Sequence, residues 1–163
     1  MKKKELKVIG WREWLSLPEI GVDSIKAKID TGARTSSLHA FDMKTFRKRG
    51  KDYVEFKIHP QQRSSRETIH AVAPIHEFRK IKSSNGQSEL RPVILTTIEL
   101  MDESWEMELT LANRDEMGFR MLVGREGIRK RMLVDSGNSY LSLTHKPKKK
   151  HIIKKTKPVP RKK

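Results

Sequence analysis

A chain of 163 residues with 35% apolar residues and a net charge of +16 reads as one modest domain plus extensions. It has no cysteine, which excludes disulfides, thiol nucleophiles and cysteine-based zinc or iron–sulfur sites. No apolar run reaches the length of a membrane span and the Lys-rich start lacks the apolar stretch of a signal peptide, so a soluble cytoplasmic protein is expected, with no membrane partner.

Alternation dominates the chain order. After a weak strand candidate at 6–9, Ile25, Ala27 and Ile29 alternate with Lys26 and Lys28. Val54, Phe56 and Ile58 alternate with Glu55, Lys57 and His59. Weaker candidates follow at 68–73, 78–82 and 89–100, and then Trp105, Met107, Leu109 and Leu111 alternate with Glu106, Glu108 and Thr110. Period-2 patterns of this kind mark strands with one buried face. Ser83, Ser84, Asn85 and Gly86 separate two of the candidates, and Asn-Gly predicts a two-residue type I′ hairpin. The arms of that hairpin carry charge and few large apolar side chains, so it should project into solvent. A last strand is expected at 120–123 and one short helix at about 126–132. The fold class is mostly β, a barrel or sandwich-like domain over 1–143.

The remainder, 144–163, is a basic, Pro-containing tail of a composition that is usually disordered. No Asp or Glu follows Asp135, and residues 136–163 hold ten Lys and Arg. Subtracting them leaves 26 basic and 20 acidic residues in 1–135, a charge of +6, so the tail supplies most of the excess.

Chemistry enters at Asp30-Thr31-Gly32-Ala33. A strand end presents Asp30, Gly32 permits close approach, and Thr31 offers a hydroxyl to brace the loop. Asp-Thr-Gly also occurs in plain turns, and one carboxylate is a poor activator of water. Two carboxylates about 3 Å apart share a proton, so that one acts as base and the other as acid. Downstream, Met121-Leu122-Val123-Gly124-Arg125 is an apolar run closed by glycine before the short helix.

The combination of Asp30-Thr31-Gly32-Ala33, the Asn85-Gly86 hairpin and Val123-Gly124-Arg125 resembles the retropepsin-like aspartic peptidases. More closely, the chain is similar to the bacterial family labelled "ATP-dependent zinc protease", often associated with ATP-grasp ligases that modify a ribosomal protein. Gly10-Trp11-Arg12-Glu13-Trp14, Arg34-Thr35-Ser36-Ser37-Leu38-His39 and Arg91-Pro92-Val93-Ile94 add to the likeness, which spans about 8–143. The resemblance implies an acid-protease β-barrel with a flap hairpin. It makes Asp30 catalytic, with Thr31 and Gly32 shaping its loop, and implies a homodimer in which each copy gives one aspartate. Ala33, Arg34, the flap residues Ser84, Asn85 and Gly86, and the backing loop at Gly124 and Arg125 would contact a peptide or protein substrate.

Two departures stand out. Viral retropepsins carry an acidic residue where this chain has Arg34, so Arg125 needs another partner, with Glu13 and Glu126 as candidates, and substrates should shift toward acidic groups. The long interval from Asp30 to Gly124 predicts extra strands between 41 and 75. A second motif, Asp135-Ser136-Gly137, is followed by only 28 residues, too few for another lobe, so Asp135 reads as a turn residue and 133–143 as a terminal strand for the dimer interface. No cofactor is expected. Zinc has no His-Glu-x-x-His motif to hold it, the histidines at 39, 59, 70, 76, 145 and 151 are scattered, and no phosphate-binding loop for ATP is present. The competing readings are a zinc-dependent peptidase and a non-catalytic basic module that binds RNA or the ribosome; the tail also suits an acidic substrate. With 6% aromatic residues, no base-stacking platform is visible in the sequence.

Overall fold

A computed structural model describes residues 5–61, 67–82, 85–113 and 118–144. The tail expected beyond 144, Ser84 of the flap, and the histidines at 145 and 151 lie outside them. The strands are β1 (Lys7–Gly10), β2 (Arg12–Leu17), β3 (Val22–Asp30), β4 (Ser37–His39), β5 (Phe41–Lys48), β6 (Lys51–Ile58), β7 (Ile69–Pro74), β8 (Glu77–Lys82), β9 (Ser88–Leu100), β10 (Glu103–Ala112), β11 (Met121–Gly124) and β12 (Met132–Asp135). Two single-turn helices, α1 (Arg125–Ile128) and α2 (Leu141–Thr144), and a 3₁₀ turn at Pro18–Ile20 complete them.

The alternating segments do what their pattern requires. Six strands run in the order β10-β4-β11-β3-β2-β9, and pairing of β9 with β10 closes the ring. The result is the β-barrel expected of a retropepsin-like fold. Inside it lie Leu15 and Leu17 from β2, Ile25 and Ala27 from β3, Leu109 and Leu111 from β10, and Met121 and Val123 from β11, all buried. Each of the larger ones, Ala27 excepted, is worth roughly 1.5–3 kcal/mol of burial. β8 extends from β9 outside the ring as one arm of a hairpin. β5, β6 and β7 form a separate three-stranded sheet whose inner face adds Val54, Phe56 and Ile58 to the core. β5 and β6 lie in the interval where extra strands were anticipated. β1 and β12 pair in parallel, so the terminal strand expected within 133–143 covers Met132–Asp135 and finds a partner inside its own chain. No helix among the described residues is long and apolar enough to cross a membrane.

Three local expectations change. The helix is one turn shorter than predicted because Met132 leaves it to pair with Lys7, and a second short helix follows. The type I′ turns are elsewhere: Leu100 pairs with Glu103 across Met101 and Asp102, both at positive φ, and Lys48 pairs with Lys51 across Arg49 and Gly50, also at positive φ. In the β8–β9 hairpin the last pair is Lys82 with Ser88, which leaves a longer loop around Asn85 and Gly86.

Candidate active site

β3 and β11 are parallel neighbours, and their register sets Asp30 beside Gly124. Both strands end there, and the two loops that leave them are bonded to each other. Arg125 N–H donates to the Ala33 carbonyl at 2.9 Å and Glu126 N–H to the Arg34 carbonyl at 3.2 Å. Gly124 N–H donates to Ser36 Oγ at 3.0 Å, and the Arg125 guanidinium donates to the Gly32 carbonyl at 3.2 Å. Thr110 on β10 fixes Ser36 in turn, through N–H and Oγ1 bonds to the Ser36 carbonyl at 3.0 and 2.9 Å. Gly124 is required by space: a Cβ there would stand 2.6 Å from the carbonyl carbon and oxygen of Thr35. Within this frame the half-buried Asp30 carboxylate accepts the Gly32 N–H at 3.0 Å through one oxygen. A turn that holds a carboxylate by a backbone donor fixes its direction while leaving it accessible.

The structure thus unites Asp30, Thr31, Gly32, Ala33, Arg34, Gly124 and Arg125 in one bonded unit. Asn85 and Gly86 belong to the tip of the β8–β9 hairpin, where Asn85 Oδ1 accepts the Gln87 N–H at 3.2 Å and Gly86 sits at φ 84°. The root of that hairpin is tethered to the barrel through Glu108 on β10. Its carboxylate takes Arg79 Nη2 at 2.9 Å and lies 3.6 Å from His76 Nε2. Arg79 also pairs with Glu77. Burial opposes the Arg79 charge, but its bonds to Glu108 and Glu77 outweigh this and raise its pKa.

Two depressions flank the unit. A cleft of about 860 Å³ is lined by Arg34, Ser36, Trp105, Glu108, Arg129 and Arg131 among others. A more apolar groove of about 500 Å³ lies along Thr31, Arg125, Ile128, Met132, Leu133 and Val134.

Some roles fall on residues other than those anticipated. The hydroxyl that braces the loops is Ser36, while Thr31 is exposed beside the groove. Arg125 bonds the Gly32 carbonyl, and neither Glu13 nor Glu126 serves it. Glu13 is fully buried and accepts the N–H groups of Gly10, Leu141 and Ser142 at 2.7, 2.9 and 3.0 Å. It stitches the start of β2 to the C-terminal helix. Bonds to backbone groups leave no mark in a sequence, and the single cue was a carboxylate between two tryptophans. Asp135 is a turn residue: its oxygens accept Gly137 N–H at 3.0 Å and Asn138 Nδ2 at 2.6 Å. These donors, Asn138 foremost, lower its pKa below 3.8.

The rings of His39 and His59 each neighbour that of Phe41, His59 Nδ1 lies 3.0 Å from the Glu67 carbonyl, and His76 faces Glu108. Among the described residues no three His, Asp or Glu side chains are grouped so as to hold a metal ion. The donors among the described residues do not fit a zinc centre.

Curated relatives include probable alpha-L-glutamate ligases of Shewanella pealeana, 47% identical over 133 residues, and Desulfotalea psychrophila, 46% identical over 129 residues. These matches cover 82% and 79% of this chain but 29% and 28% of the relatives, so the chain spans under a third of their length. A crystal structure of a Legionella pneumophila protein of unknown function superposes with a TM-score of 0.71 at 25% identity, over 85% of this chain and 99% of that one. Residues 8–145 match the model of the RimB-like family, described as retropepsin-like aspartic endopeptidase RimB. The chain belongs to this RimB-like, retropepsin-like family.

Proposed function

We propose that the protein is an aspartic endopeptidase that works as a homodimer, with Asp30 of each copy forming one shared pair. The observation that carries this reading is the fate of the two aspartate motifs. Asp30 stands partly accessible at a strand end in a rigid loop, while both oxygens of Asp135 are engaged in its own turn. Of the two motif aspartates one chain therefore offers one usable carboxylate, and a second copy is the natural source of the other. In the pair, one carboxylate removes a proton from water while the other donates to the scissile carbonyl, and the apparent pKa values belong to the dyad. The β8–β9 hairpin of each copy serves as the flap over the bound peptide. Peptides rich in glutamate are the favoured substrates. In the cleft beside the proposed catalytic loop five basic side chains, Arg34, Arg79, Arg129, Lys130 and Arg131, outnumber Glu106, Glu108 and Glu126, and the similar segment of the curated relatives is part of proteins named glutamate ligases.

The test is Asp30→Asn, assayed against wild type on a glutamate-rich peptide, with and without chelator. The substitution should lower kcat by about a hundredfold or more and leave the thermal midpoint in place. Full activity in the variant, or zinc-reversible loss of wild-type activity with chelator, would remove the proposal.

A further inference from the structure

The outer face of the β5-β6-β7 sheet has no part in the peptidase reading. Alternation sends Val54, Phe56 and Ile58 inward and their neighbours outward. Phe46 and Tyr53 are directly paired across β5 and β6, with ring centroids 5.5 Å apart and planes 13° apart. Phe46 is 39% exposed, and Val72 of β7, opposite Glu55 and next to this pair, is 53% exposed. The exposed Phe46 ring, layered on the half-buried Tyr53 ring at the sheet surface, offers a face on which a base can stack.

The charges around the rings are arranged at a cost to the free protein. Lys48 and Lys51 face each other across the ladder one pair beyond the aromatics, and like charges directly opposite destabilise a sheet. Arg49 occupies the first turn position at φ 52°, in the left-handed region that Asn or Gly fills without strain. Three cations thus crowd the hairpin end where neutral residues would be more stable. The carboxylates nearby are engaged or offset: Asp42 bonds Lys57 at 3.1 Å, Asp52 pairs with Arg47 at 3.4 Å, and Glu55 stands opposite Lys44. A polyanion that brings both phosphates and flat rings answers both features, whereas an acidic peptide answers only the charges.

We infer that this face, Phe46 and Tyr53 flanked by Lys48, Arg49 and Lys51, binds single-stranded nucleic acid, with a base on the rings and phosphates at the hairpin end. The binding is independent of Asp30.

The test measures fluorescence anisotropy of a labelled single strand of about 12 nucleotides, as RNA and as DNA of the same sequence, with the full chain at several salt concentrations. The C-terminal tail is identical in every variant, so its contribution cancels in the comparison. Phe46→Leu with Tyr53→Leu should weaken binding roughly tenfold, because it keeps apolar surface but removes stacking. Lys48→Gln with Lys51→Gln should lower the slope of log affinity against log salt by about 1.4, two phosphate contacts on a single strand. Arg49→Asn should raise the thermal midpoint and still weaken binding, which separates function from folding if the other variants are unstable. Preference between RNA and DNA then identifies the sugar that is read. Unchanged affinity in all three variants would assign binding to the tail and overturn the proposal. So would failure of wild type to bind either strand at low salt, or a polyglutamate peptide binding with the same dependence on Phe46 and Tyr53.

Discussion

At Gly124 a single hydrogen atom in place of a methyl decides whether the two loops of the active site can meet. Gly124→Ala places a Cβ 2.6 Å from the Thr35 backbone, which cannot rotate away as a side chain would. We expect a loss of about 1–3 kcal/mol in urea unfolding, with peptide cleavage falling further than stability because Asp30 sits on the displaced loop. Ser36→Ala tests the brace more gently. It leaves the buried Gly124 N–H without its acceptor and should cost about 1–3 kcal/mol, with kcat reduced and the thermal midpoint lowered. Asp135 gives the opposite expectation. Its pKa is lowered in the folded state, so its stabilising effect is full above the ordinary carboxylate value of 3.8 and is lost as pH falls through the lower folded value. Asp135→Asn should therefore flatten that part of the acid-unfolding curve and leave cleavage near neutral pH unchanged. A large loss of activity would mean that Asp135 takes part in the chemistry.

Among the elements, the β8–β9 hairpin joins fold and function. Its root is tied to β10 through the Glu108 carboxylate. Glu108→Gln weakens the ion pair with Arg79 while keeping the shape, so it should raise KM for peptide more than it lowers kcat, and speed amide exchange in β8. Exchange unchanged in β8 would show that Glu108 does not restrain the flap. Much of this level could be read from the sequence. β3, β6 and β10 follow their alternation, and Asp30 falls at a strand end because Ile25, Ala27 and Ile29 stop there. What escaped notice has local causes. In β2 the inward position between Trp14 and Arg12 is Glu13, which breaks the apolar pattern while satisfying three backbone donors. β5 has no deeply buried residue to give it a pattern. The Asn85-Gly86 signal was real as a turn and wrong as a two-residue one, since five residues separate the paired arms.

For the whole molecule, the barrel presents the Asp30 loop, the β8–β9 hairpin and a cleft lined by more basic than acidic side chains, while the β5-β6-β7 sheet presents aromatic and basic side chains on its outer face. The sequence hid that second surface, because Phe46 and Tyr53 are separated along the chain and become neighbours only through the β5–β6 ladder. The same holds for the proposed dimer, which no single chain displays. Its sharing of Asp30 is the central claim and is measured most directly by subunit mixing. Wild type is denatured, combined with an equal amount of Asp30→Asn chain, refolded and assayed at constant wild-type content. If each site needs one Asp30 from each copy, random pairing leaves about half of the original activity, and a large excess of mutant abolishes it. Activity that stays at the wild-type level at every mixing ratio would contradict the shared pair.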